Sequence, residues 1–168
     1  MNHQEIKIAI LYYSKSGNTK VMAEHIANGC KQVNYVQVKL MDICQCDASF
    51  LKESQCVIIG TPTYYTDMAA EMKVWLDHES GKYNLAGKLG GAFATADFTY
   101  GGAELAMQGI LVHLMFRGMM VYSGGNSYGN PPIHLGPVAI SPTIEESTYQ
   151  LFSLYGKRMA EQTCKLFQ

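Results

Sequence analysis

The chain has 168 residues, 48 % of them hydrophobic and 16 % charged, enough apolar side chains for one domain to bury its own core without disulfides or a structural metal. Thirteen Lys and Arg against fourteen Asp and Glu leave a net charge of −1 with no block of one sign, which argues against nucleic acid as the main partner and against an acidic carrier. Five cysteines without framework spacing, a polar start over residues 1–7 and no apolar run of membrane-spanning length point to a cytoplasmic domain with no membrane contact.

Ile6, Ile8, Ile10 and Leu11, with Ala9 between them, form a short apolar run suited to a parallel strand buried on both faces. It stops in a small polar loop, Ser14-Lys15-Ser16-Gly17-Asn18-Thr19. Over residues 19–31, Met22, Ala23, Ile26, Ala27 and Cys30 then fall at three- and four-residue spacing, which is one helical stripe. Residues 33–40 alternate, with Val36, Val38 and Leu40 on one side, and predict a strand near the sheet edge. Residues 42–54 are irregular with room for a turn of helix. Cys56-Val57-Ile58-Ile59-Gly60 gives another apolar strand, running into Thr61-Pro62-Thr63-Tyr64-Tyr65. A helix is predicted over 69–79, a strand over 88–96 and a long helix over 102–117 stopped by Gly118. A last strand over 119–122 and a closing helix over 143–167 follow. The Gly-, Asn- and Pro-rich residues 124–142 exceed a plain connector and suggest a rim or a subunit contact.

Five strands alternating with helices imply an α/β fold, a five-stranded parallel sheet with helices on both faces. The order chosen is 2-1-3-4-5, whose switch point opens a crevice between the first and third strands, at their carboxyl ends. Three unusual loops follow strand ends, at residues 14–19, 62–67 and 97–102, and are expected to meet there.

In the first loop Ser14, Ser16 and Thr19 supply hydroxyl donors, and Gly17 lets backbone approach a ligand. The N–H groups opening the next helix have no internal partners. Such a turn cradles an anion, although Ser, Asn and Thr are also ordinary N-caps. No Gly-x-x-x-x-Gly-Lys-Ser/Thr run is present and no Gly-x-Gly-x-x-Gly follows a strand, so a single terminal phosphate fits better than a triphosphate or a dinucleotide. Ile10, Leu11, Tyr12, Ser14, Gly17, Thr19, Ala23 and Ile26 resemble the flavodoxin signature. That resemblance implies a flavodoxin-like three-layer sandwich and flavin mononucleotide (FMN) held through its phosphate by Ser14, Lys15, Ser16, Gly17, Asn18 and Thr19.

The second loop, with Pro62, Thr63, Tyr64, Tyr65, Thr66 and Asp67, offers aromatic faces and polar groups for a flat ring. Gly60-Thr61-Pro62-Thr63 followed by Met68, Met72, Leu76 and Asp77 is similar to the corresponding loop of WrbA-type NAD(P)H:quinone oxidoreductases. The third loop, with Thr95, Ala96, Asp97, Phe98, Tyr100, Gly101 and Gly102, has glycines that let backbone reach a ring edge, and with Glu104 it resembles that family's third flavin loop. There Asp97, Phe98 and Tyr100 replace smaller residues. A histidine near the end of the family's fourth helix reaches the flavin pocket, and Phe116 is its counterpart here. Tyr100, Phe116 and His134 are accordingly the substrate-side candidates. Cys44, Cys46 and Cys56 lack the spacing of an iron–sulfur motif, so no metal is expected.

FMN binding leaves a choice between a carrier that docks to redox proteins and an enzyme passing hydride from NAD(P)H to a quinone; a module that has lost its flavin is a third class. Near-neutral charge and the second-loop resemblance favour the enzyme, a two-electron reductase of ping-pong type needing no catalytic side chain. The resemblance also implies a homotetramer, but only residues 80–88 stand where the WrbA-type branch carries an insertion, so a homodimer or a monomer fits equally well.

Overall fold

The computed structural model describes residues 4–168. Residues 1–3, part of the polar start read above, lie outside it. Strand β1 (Ile6–Tyr12) sits between β2 (Val36–Asp42) and β3 (Cys56–Tyr64), all parallel. A two-residue strand β4 (Asp67–Met68) folds back antiparallel on the end of β3. Beyond β3 lie β5 (Leu89–Ala96) and then β6 (Met120–Val121). The order β2-β1-β3-β5-β6 is the expected 2-1-3-4-5 once β4 is set aside.

Successive side chains of a strand point to opposite faces, so each apolar run feeds two cores. Ile6, Ile8, Ile10, Cys56 and Ile58 face helices α1 (Asn18–Cys30) and α5 (Glu146–Phe167). Ala9, Leu11, Val57 and Ile59 face α2 (Ala48–Glu53), α3 (Ala70–His78) and α4 (Ala103–Phe116). Glycine sets how closely α1 and α5 approach. A Cβ on Gly29 would lie 1.8 Å from the Ser153 carbonyl oxygen and one on Gly156 2.0 Å from that of Ile26, so each helix rests on the other's backbone.

Several predicted boundaries shift for local reasons. The edge strand begins at Val36, not residue 33, because Tyr35 takes a left-handed φ of 62° and Val33 still belongs to the turn after α1. Residues 42–54 are ordered by two carboxylate caps: Asp42 accepts from Cys44 N at 2.8 Å to open a 3-10 turn, and Asp47 accepts from Phe50 N at 3.1 Å to open α2. The largest correction concerns the last sheet position. The predicted strand 119–122 shrinks to two residues against Leu89 and Gly90. The upper half of that edge is taken by β7 (Val138–Ile140), which pairs with Ala94, Thr95 and Ala96. Residues 124–142 thus leave the sheet and return to it. Arg158 of α5 anchors them, its guanidinium donating to the Pro131 carbonyl at 2.9 Å while it lies 5.2 Å from the Tyr128 ring. The closing helix starts at Glu146, three residues later than expected, beyond the Ser141-Pro142 turn.

Candidate functional site

Register places the three loops at one height. Tyr12 pairs with Gly60, Gly60 with Phe93 and Pro62 with Thr95, so the chain leaves β1, β3 and β5 on the same side of the sheet. The first loop ends in Gly17, which takes φ 98° as the N-cap of α1, and no side chain caps the helix there. A Cβ at Gly17 would meet nothing within 4 Å, so the turn faces open space. Ser14 Oγ accepts from Lys20 N at 3.3 Å and holds the loop over the first turn. Thr19 is 1 % exposed, and its Oγ1 lies 2.9 Å from Thr95 Oγ1 at the end of β5.

The second loop is a tight hairpin in which Tyr64 pairs with Asp67. The residues between, Tyr65 at φ 51° and Thr66 at φ 70°, adopt a conformation usually left to Gly or Asn. For a β-branched threonine that is a strained position, the kind of strain that concentrates at ligand sites. The third loop touches the second: a Cβ on Gly102, itself at φ 89°, would lie 2.7 Å from Thr66 Cα. Gly101 N donates to the Phe98 carbonyl at 2.9 Å and closes the third turn.

The loops enclose two hollows of about 300 and 460 Å³ that share Thr63, Tyr64, Ala96 and Asp97, a span suited to an elongated ligand. Lys15, Ser16 and Asn18 line the first; Tyr65, Thr66, Phe98 and Gly101 line the second. Thr63 Oγ1 is buried and has no hydrogen-bond partner among the described residues, leaving a polar group where a ligand would satisfy it. Burial, followed by the charges of Glu71 and Asp97, pushes the Tyr64 phenol up. Tyr13 donates to Glu71 Oε1 at 2.7 Å beside the same loop, which pushes its phenol up to about 12.

The structure thus brings the loops 14–19, 62–67 and 95–102 together, but not every predicted residue lines the hollows. Ser14, Gly17, Thr19, Asp67 and Gly102 belong to these loops without lining either hollow, and Tyr100, fully exposed, lines neither. Phe116 is carried away from the crevice: α4 starts at the third loop and runs back down the sheet, so its last residue lies near Gly118, whose carbonyl accepts from Gly87 N below the start of β5. His134 is exposed and lines a separate hollow of about 190 Å³ with Glu104, Met107 and Leu151. The cysteines are divided by the sheet, Cys56 in the α1–α5 core and Cys46 against the other. Sequence reasoning missed Ser141. It follows β7, lines the first hollow, donates its N–H to the Ala96 carbonyl at 2.8 Å and accepts from Asn18 Nδ2 at 3.1 Å. The signal was available, since Val138-Ala139-Ile140 before Ser141-Pro142 repeats the pattern of an apolar run ending in a small polar loop.

A profile of the family described as Flavodoxin matches residues 10–125. The chain belongs to the flavodoxin family. A flavodoxin from Clostridium saccharobutylicum is 45 % identical over 162 residues, covering 96 % of this chain and 100 % of that protein. An NAD(P)H dehydrogenase (quinone) from Chromohalobacter salexigens is 29 % identical, covering 95 % of this chain and 98 % of the relative. That second alignment runs over 199 positions, more than this chain possesses, so the dehydrogenase carries segments without a counterpart here. Among solved structures, an archaeal flavodoxin superposes with a TM-score of 0.74 at 28 % identity, covering 94 % of this chain and 99 % of that one. The flavodoxin, WrbA-like protein from Agrobacterium tumefaciens reaches 0.78 at 22 % identity over 96 % and 99 %, a likeness of fold. Family membership makes the chain a flavoprotein of the oxidoreductase type; the preference for a quinone reductase read from the sequence is not favoured, because the strongest of these likenesses is to a flavodoxin.

Proposed function

We propose that this chain binds FMN and carries electrons between protein partners. The observation that supports this most is the 45 % identity over the whole of a flavodoxin, set beside a quinone dehydrogenase relative that is less similar and carries segments without a counterpart in this chain. The residues present fit the cofactor: a helix N-terminus whose cap residue, the open Gly17, has no side chain to offer, a buried Thr19–Thr95 hydroxyl pair and an unsatisfied Thr63 hydroxyl belong to the loops around one crevice. Ser14, Ser16, Asn18, Thr19 and the first N–H groups of α1 would hold the phosphate, with Lys15 contributing positive charge. Tyr64 and the backbone between Asp97 and Gly101 would hold the ring, and backbone donors there would favour a reduced, anionic ring. FMN supplies the redox chemistry, accepting and returning electrons through its isoalloxazine ring.

The overall charge of −1 counted against carriage, but distribution matters more than the sum. Asp67 and Asp97 are exposed around the crevice, together with Tyr65 and Phe98, and offer a basic redox partner both charge and aromatic surface. A second reading, an NAD(P)H:quinone reductase, is favoured by the 29 % identity to the dehydrogenase. One experiment separates the two. Anaerobic titration of the FMN-loaded protein with dithionite should show two separated one-electron stages, and excess NADH or NADPH should leave the visible spectrum unchanged. Rapid bleaching by a nicotinamide, with turnover on benzoquinone, would establish the reductase instead.

A further inference from the structure

We propose that Ser141, at the end of β7, donates its hydroxyl proton to the phosphate of bound FMN, a contact supplied by a fourth strand end in addition to the three loops. This rests on the FMN reading and adds to it a residue from the last strand of the sheet. Ser141 is fixed from two directions. Its N–H donates to the Ala96 carbonyl at 2.8 Å, continuing the ladder in which Ile140 stands opposite Ala96, and its Oγ accepts from Asn18 Nδ2 at 3.1 Å. Asn18 is the first residue of α1, directly after the Gly17 turn. A side chain 123 positions further along the chain is thereby held against the opening turn of that helix.

A count of protons gives the direction of the bond. A serine hydroxyl has one proton and two lone pairs. Asn18 occupies a lone pair of Ser141, and among the described residues nothing accepts the Ser141 proton or the second N–H of the Asn18 amide. Two other hydroxyls of the first loop are already engaged, Ser14 by Lys20 N and Thr19 by Thr95. Ser141 is half-buried and lines the hollow of about 300 Å³ with Lys15, Ser16 and Asn18, a wall rich in donors. Asp97, the one acidic residue of that lining, also lines the second hollow, where the ring would lie. What such a wall lacks is an acceptor, and a dianionic phosphate offers several oxygens whose bonds are stronger than those to a neutral ribityl hydroxyl. Asn18 acts here as a positioning residue: by filling one lone pair of Ser141 it leaves the hydroxyl proton for the ligand.

Fluorescence quenching of FMN and of riboflavin by the flavin-free protein tests this without reference to redox activity. Ser141→Ala should weaken FMN about tenfold and leave riboflavin, which has no phosphate, within about twofold of the parent. Ser141→Thr keeps a hydroxyl and should bring FMN back to within about threefold. Equal losses of both flavins in Ser141→Ala would make the residue a support of the crevice and overturn the phosphate contact. FMN binding unchanged in Ser141→Ala, or a Ser141→Thr protein no tighter than the alanine variant, would overturn it as well. A parent chain that bound neither flavin would instead overturn the FMN reading, and the contact with it.

Discussion

The hydroxyl pair that joins the first loop to the sheet offers the sharpest test of the site, because its two roles respond differently to substitution. Thr19 and Thr95 are 1 % and 4 % exposed, and their hydroxyls lie 2.9 Å apart. Thr19→Val leaves the Thr95 hydroxyl buried without its partner, at about 1–3 kcal/mol of stability, and Thr95→Val does the same to Thr19. The double variant removes both polar groups and should recover most of that loss, leaving a coupling of about 1–2 kcal/mol in a double-mutant cycle. FMN binding follows another rule. Each hydroxyl has one proton, so Thr95 can donate to Thr19 while Thr19 donates to the phosphate. A hydrogen bond to a charged group contributes about 1.5–3 kcal/mol, which predicts about 10- to 150-fold weaker FMN binding whenever Thr19 is valine. Urea unfolding of the flavin-free protein measures the first effect and quenching of FMN fluorescence the second. The double variant should thus regain stability but not affinity. Strictly additive stabilities would refute the hydroxyl pair, and a Thr19→Val protein binding FMN within twofold of the parent would remove Thr19 from the cradle.

Close approach at glycine yields a second test: Gly156→Ala sets a methyl 2.0 Å from the Ile26 carbonyl oxygen, a backbone atom that cannot rotate away, and should cost about 3 kcal/mol or more in urea unfolding. Gly91→Ala meets the Tyr155 hydroxyl at 2.2 Å, and that hydroxyl lacks a hydrogen bond among the described residues, so adding Tyr155→Phe should restore part of the loss in the same assay. At alkaline pH the tyrosines held by carboxylates matter. Hydrogen bonds to Glu71 and Glu161 push Tyr13 and Tyr128 up to about 12, so the folded state keeps their protons longer than the unfolded chain does. Their contribution is complete below about pH 10 and lost as pH rises to about 12, and Tyr128→Phe should flatten that part of the stability profile. Among the thiols, burial pushes Cys46 up to about 11 and Cys56 to about 12; Asp42 raises the Cys44 thiol as well, but Cys44 is exposed, so iodoacetamide at pH 8 should modify it first through access, as peptide mass mapping would show.

The parts of the fold legible in the sequence were those whose pattern is set locally. Five apolar runs and the helical stripes between them gave the sheet, its order and the three loops that meet at the crevice, because buried parallel strands leave no alternation to confuse and the loops break it with Gly and Pro. What escaped depends on contacts distant in sequence. The hairpin at Tyr65 and Thr66 carries no Asn-Gly signal: its left-handed residues are ones with little preference for that conformation, and Thr66 packs against Gly102, which is distant in sequence. Phe116 was placed near the crevice by resemblance, but a helix of fourteen residues running back from the third loop ends at the other side of the sheet. Ser141 was overlooked because its strand is only three residues long: the apolar run Val138-Ala139-Ile140 ending at Ser141-Pro142 is a weak signal by itself, and its place beside Ala94–Ala96 is set by pairing.

That late strand bears on how the crevice is kept in shape without a ligand. The first loop hangs from β1 and would be free to move away from β5, since nothing in its own sequence ties it there. Two cross-links oppose this: Thr19 to Thr95 at the base and Asn18 to Ser141 above it. The second of these rests on β7, which pairs with Ala94–Ala96, and the segment leading into β7 is tied in turn by Arg158, which donates to the Asn130 and Pro131 carbonyls far from the crevice. Arg158 is 3 % exposed, so Arg158→Met keeps its packing volume while removing those hydrogen bonds. The expected outcome is faster amide exchange at Ser141 and weaker FMN binding, with little change in exchange across β1 and β3. Uniform loss of protection throughout the sheet would instead make Arg158 a support of the whole fold and leave the cradle tied by Thr19 alone.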